Sequence, residues 1–248
     1  MKMRNGFVSN SSSSSFIVAF PKKPQTTDEV LKIMFNNKEF QVTAYGKAVL
    51  TTKSVANNVF DAIICKAVAR GNLSNIASLI RAKYFSIIHG YSEPDKYCGT
   101  NRSLLEKLQQ LYNDEKAETE QINKKISVVW KTQFKESVAP YASKDFGNST
   151  EAIKAYEKYN KKRETFMKEN KDYVALTKEK LKIYHEYSKK VDIVATKLAK
   201  IDAKKFLRDN KGKFIFIVSY SDNTNEIESI MEHGNIFGNV PHIVISQH

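Results

Sequence analysis

The sequence predicts an α+β protein: a small sheet from strands at both ends of the chain, packed with helices, and a long basic helical insertion between them. Three observations carry this reading. Phe16-Ile17-Val18-Ala19-Phe20 is apolar at every position, the pattern of a strand covered on both faces. Phe214 to Tyr220 is the strongest strand signal in the chain, and His242 to Ser246 is a second short apolar run behind it. From about residue 103 to 209 the chain is rich in Lys and Glu, with its apolar residues confined to helical stripes. The C-terminal strand, short helix and strand need another sheet partner, and Phe16 to Phe20 is the best available. The expected organisation is a discontinuous α+β domain over 1–100 and 210–248, with 101–209 inserted as a bundle or antiparallel coiled coil.

Taken in order, the first strand stops at Pro21 and Pro24, which remove backbone donors. Thr26 and Glu29 form a capping-box pattern that opens a helix running to Asn36-Asn37. The alternation Phe40, Val42, Ala44 suggests a short strand ending at Gly46. Ser54 is the expected cap of a helix with Val55, Val59, Phe60, Ile63, Ile64, Ala67 and Val68 on one face, closed by Gly71. Leu73 to Tyr84 forms a second helix before His89-Gly90. Tyr91 to Arg102 has loop composition, with Pro94 and Gly99 as breakers, and marks a boundary.

Ser103 starts a long helix that includes Leu108, Ile122, Trp130 and Phe134 and stops before Pro140. After a break at 141–148, Ser149 and Thr150 cap a helix through Tyr156, Tyr159 and Phe166. A last long helix, about Asp172 to Arg208, carries Ile183, Tyr187, Val191, Val194, Leu198 and Ile201 at coiled-coil-like steps. Asn210 to Lys213 ends it. A turn at 221–225 leads to a short helix over Glu226 to Glu232, then Gly238-Asn239 and Pro241 introduce the terminal strand.

The chain has 248 residues, 41% of them apolar, which suffices for a sizeable core. Its formal charge of +13 points to an acidic partner, with nucleic acid or an anionic protein surface first. The charge is uneven: +7 over the first hundred residues, +9 over 101–211 and −3 beyond. Lys far outnumbers Arg, which argues against dense bidentate recognition of phosphate or guanine. Cys65 and Cys98 resemble neither a disulfide framework nor a metal knuckle, so a reduced, cytosolic compartment is expected. No stretch approaches the ~18 to 20 apolar residues that span a bilayer, and the apolar run after the serines is too short for a signal peptide. No membrane association is expected.

Two constellations could carry chemistry. Ser11, Ser12, Ser13, Ser14 and Ser15 offer consecutive hydroxyls and N–H groups that could cradle an anion, supply a nucleophile from Ser11 or Ser13, or accept a modification; the plain alternative is a flexible leader. Asp222, Glu228, Glu232, His233, His242 and His248 form the second, with Asp222, His233 and His242 as candidate acid/base groups. Turn and helix-end roles compete with catalysis there. No spacing fits zinc, so no metal ligands are assigned, and no Walker loop, dinucleotide fingerprint, Cys-x-x-Cys or nucleophile elbow names a cofactor. For polyanion binding, Lys158, Lys161, Lys162 and Arg163 interleave with Tyr156 and Tyr159, which could equally be bundle core.

Gly6-Phe7-Val8-Ser9-Asn10 with the serine run and Phe16 resembles the opening of a group of proteins encoded by tailed bacteriophages and some bacteria. Tyr220-Ser221-Asp222-Asn223, Glu232-His233-Gly234, Pro241-His242 and Ser246-Gln247-His248 resemble that group's ending, although Gln247 departs from its paired histidines. The resemblance covers about a fifth of the chain and implies a phage origin rather than a reaction. It makes the host cytoplasm or the virion the expected location. The leading expectation is a non-enzymatic accessory protein that binds an acidic partner, protein or nucleic acid, through its basic helices. An enzyme or ligand-binding module with a pocket between the serines and the Asp/His segment is the second, and a virion structural component the third.

Overall fold

A computed structural model describes residues 13–44, 48–64, 72–90, 94–134, 150–221, 230 and 236–246. The α+β expectation holds. In chain order the elements are β1 (Ser13–Phe20), α1 (Thr27–Phe35), β2 (Gln41–Ala44), β3 (Ala48–Thr51), α2 (Thr52–Ile64) and α3 (Leu73–Ile88). There follow α4 (Arg102–Val129), a π-helical turn at Trp130–Phe134, α5 (Thr150–Glu169), α6 (Lys171–Asp209), β4 (Phe214–Ser221) and β5 (His242–Ser246). Two compact units result, one of Met1–Lys107 with Ile193–His248 and one of Leu108–Asp192. No described helix is long and apolar enough to cross a membrane.

In the first unit the two chain ends meet in one antiparallel sheet of order β4-β1-β5. Central placement explains why Phe16 to Phe20 carries no polar residue. Phe16, Val18 and Phe20 join Val30, Met34, Val55 and Val59 of α1 and α2 in one core, all fully buried. Ile17 and Ala19 point to the other face with Ile243 and Ile245, and these too are buried, with β5 lying against α3. The ladder begins one residue before β5, Ala19 donating its N–H to the Pro241 carbonyl at 2.9 Å.

Local signals account for most helix ends. Thr26 caps α1 and accepts the Glu29 N–H at 3.3 Å, while the Glu29 carboxylate reaches back to the Gln25 N–H at 2.6 Å and, more weakly, to that of Thr26. Its hydrogen bonds to Lys22 and Gln25 hold that carboxyl below its ordinary range. Asn36, in the left-handed region at φ 53°, closes the helix. The cap of α2 is Thr51, not Ser54: the Thr51 hydroxyl accepts the Ser54 N–H at 3.1 Å. Its partner strand pairing, β2 with β3, completes a hairpin of which the sequence showed only the first strand, because Ala48-Val49-Leu50-Thr51 lacks alternation. Gly71 lies outside the described residues, as does most of 226–232.

The loop 94–101 is tied down by a buried carboxylate. Asp202 of α6, fully buried, accepts hydrogen bonds from the Tyr84 hydroxyl of α3, the Thr100 hydroxyl and the Gly99 N–H, the last at 2.9 Å. Burial, then Asp202, pushes the Tyr84 hydroxyl far above its usual pKa. Asp95 turns the loop by accepting the Tyr97 and Cys98 N–H groups, each at 2.8 Å, and pairs with Lys83. Gly99 is required: its φ is +77°, and a Cβ there would stand 2.8 Å from Pro94 Cβ. Cys98 is a buried free thiol, raised by burial and then by Asp95, and so a poor nucleophile.

In the second unit, α4 and the first part of α6 run antiparallel. Glu118 pairs with Tyr187 at 2.7 Å, Asn123 with Lys180 at 2.9 Å and Gln133 with Asp172 at 2.9 Å, so advancing one helix retreats the other. The carboxylate of Glu118 pushes the Tyr187 hydroxyl pKa up to about 12. Thr177 Oγ1 is buried without a hydrogen-bond partner. Thr177→Val keeps the shape and removes the orphan, so it is expected to raise stability by about 1 kcal/mol. An increased urea midpoint with unchanged slope is the check.

Candidate functional site

The clearest binding geometry among the residues singled out from sequence lies in the helical unit. Trp130 and Phe134 are four apart, and the π-helical turn sets their rings 4.6 Å apart. Phe166 of α5 packs against both, at 5.1 and 5.2 Å, and Tyr173 of α6 stands 5.8 Å from Trp130. Tyr159 reaches Phe134 at 5.7 Å. All five rings are half-buried, so they serve chiefly as a packed floor. Asn170 links α5 to α6: its side-chain oxygen caps α6 on the Tyr173 N–H at 2.9 Å and its amide donates to Gln133 at 2.6 Å.

Along the flank of this cluster runs a groove of about 540 Å³ lined by Gln133, Phe134, Lys161, Lys162, Thr165 and Phe166. Helical geometry explains its charge. At 100° per residue, Lys154, Lys158, Lys161, Lys162 and Thr165 fall on one face of α5 with no acidic residue interposed. The four lysines are exposed. Arg163 projects from another side of the helix, so the expected set Lys158, Lys161, Lys162 and Arg163 divides into three residues on the stripe and one off it. Tyr159 belongs to the packed floor, whereas Tyr156 is 38% exposed. Sequence reasoning missed Gln133 and the role of Phe134, because the opposite wall of a groove between two helices leaves no trace in the spacing of either.

The serine run and the histidines are arranged differently from expectation. Ser11 and Ser12 lie outside the described residues, as do Asp222 and His233. Ser13, Ser14 and Ser15 are not at a sheet edge: they belong to the central strand, opposite Ser221, Tyr220 and Ser219 of β4. The buried Ser15 hydroxyl is spent on the Ser219 hydroxyl at 2.8 Å. His242 pairs with Val18, while Ser14 pairs with Ser246. Four residues of extended chain, roughly 13 Å, therefore separate Ser14 from the position of His242. The register puts Ser15 and His242 on opposite faces of the sheet, with the buried Phe16, Ile17 and Val18 between their positions.

Among the described residues, no three His, Cys, Asp or Glu side chains converge as a metal site. Comparison of the chain with protein families, with curated proteins and with solved structures finds no match.

Proposed function

We propose that this protein is a non-enzymatic binder of a polyanion, single-stranded nucleic acid foremost, which lies along the lysine stripe of α5. The observation that carries the reading is the groove in which Lys161 and Lys162 stand beside half-buried Phe134 and Phe166. Charge is also segregated along the unit. Residues 121–190 hold 17 Lys and Arg against 9 Asp and Glu, whereas Asp114, Glu115, Glu118 and Glu120 cluster on the first part of α4. Four lysines on one face, with Arg163 turned to another, suit point-charge neutralisation of a flexible backbone rather than reading of base edges. The likeness of the two chain ends to phage proteins supports a tailed-phage origin, with action in the host cytoplasm.

The test is anisotropy of a fluorescein-labelled oligonucleotide across a salt series, with a polyglutamate peptide as the acidic-protein arm. Lys158→Gln with Lys161→Gln and Lys162→Gln is expected to weaken oligonucleotide binding at least about tenfold and to reduce the salt slope by about 2. Arg163→Gln is expected to change it less. Binding that is absent at low salt, or indifferent to the triple substitution, overturns the proposal; preferential capture of polyglutamate reassigns the stripe to an acidic protein.

A further inference from the structure

A second cavity, of about 460 Å³, lies in the other unit between the loop at Asp95, Lys96 and Tyr97 and the turn from Gly238 to His242. We propose that it binds a small organic anion, a carboxylate or phosphate with a short apolar body. This stands apart from the polyanion reading and supplies His242 with a role that the serine run does not.

Both walls are held rigid before any ligand arrives. The loop wall is fastened through Asp202 and through the Asp95 turn. Opposite it, Asn239 donates to the Met34 carbonyl of α1 at 2.6 Å and Val240 donates its N–H to Phe237 at 2.9 Å. A pocket fixed in this way loses little freedom on binding.

The polar groups are cationic once existing pairs are counted. Asp95 is the one carboxylate among the described residues lining the cavity, and it already accepts from Lys83, Tyr97 and Cys98. Lys96 and Lys205 both approach the Tyr97 ring, their Nζ atoms 5.2 and 5.8 Å from its centroid, and Lys205 also donates to the Lys96 carbonyl. His242 Nδ1 lies 2.9 Å from the Val240 carbonyl. A carbonyl only accepts, so Nδ1 carries the proton and the lone pair of the neutral ring sits on Nε2. Nε2 is then the ring nitrogen left for a ligand in the cavity. Val240, Pro241 and Val244 offer apolar surface to the remainder of the molecule.

The experiment follows the imidazole carbon-bound proton of His242 by NMR in the full chain, assigned with His242→Gln, during titration with sodium phosphate and separately with sodium propionate against chloride of equal ionic strength. A saturable shift is expected with at least one anion, phosphate alone indicating a phosphate site and propionate alone a carboxylate site. Lys96→Gln, which keeps the stem and removes the charge, is expected to weaken it about tenfold. The α5 triple substitution is expected to leave it unchanged. No saturable shift with either anion, or an equal shift in Lys96→Gln, overturns the proposal.

Discussion

Asp202→Ala is expected to destabilise the sheet-bearing unit by about 1 to 3 kcal/mol, the cost of leaving a buried hydroxyl without its acceptor. The substitution removes the acceptor of the Tyr84 and Thr100 hydroxyls and one of the two acceptors of the Gly99 N–H, the other being the Tyr84 oxygen at 2.9 Å. Tyr84 is buried and loses its acceptor outright, whereas Thr100 is exposed and can turn to solvent. The buried Tyr84 hydroxyl carries most of this cost, because water does not reach it to replace the carboxylate. Asp202→Asn should cost less, because it retains one oxygen acceptor while turning an NH₂ toward a donor. Native-state hydrogen exchange of the β1 amides measures the loss directly. A cycle with Tyr84→Phe separates the Tyr84 bond from the bonds to the loop, since the double variant removes one orphan. A loss below about 1 kcal/mol for Asp202→Ala would show that the carboxylate is not the pin of loop 94–101.

Phe16→Ala and Ile17→Ala should both be costly, by about 3 to 5 and 2 to 5 kcal/mol, although adjacent strand residues face opposite ways. In an antiparallel sheet with one wet face, one of two neighbours is cheap to truncate. Here Phe16 packs against Phe237 with ring centroids 5.2 Å apart, and Ile17 lies opposite Ile217 and Ile243 on the other face. Both are fully buried. Urea unfolding followed by far-ultraviolet circular dichroism provides the comparison, and a cost under about 1 kcal/mol at either position would mean that one face of β1 is uncovered.

Several features were legible because they depend on short-range pattern. An unbroken apolar run reports two covered faces, so the partnership of Phe16 to Phe20 with both C-terminal strands follows from residue type alone. Thr26 with Glu29, and the recurrence of Lys158, Lys161 and Lys162 at helical steps, are likewise local. Arg163 looked like a member of that set only because adjacency in sequence is not adjacency on a helix.

Other features were decided by tertiary structure. Strand order put β1 between β4 and β5, which turned Ser15 from a candidate anion ligand into a ladder residue bonded to Ser219, 204 positions away. Asp202 sits on a Lys-rich helix and reads as one more solvated charge; only packing of α6 beside Tyr84 and loop 94–101 buries it. No helix-breaking residue marks the division between Asp192 and Ile193, because one continuous helix crosses it and its backbone hydrogen bonds are indifferent to what its faces touch. By itself, then, the sequence determined the α+β class, the long helices and the pairing of the two ends, but not β3 or the π-helical turn. The partners of its polar side chains were set by long-range contacts, since a hydrogen bond depends on the position of two groups in space and leaves no periodicity in either segment.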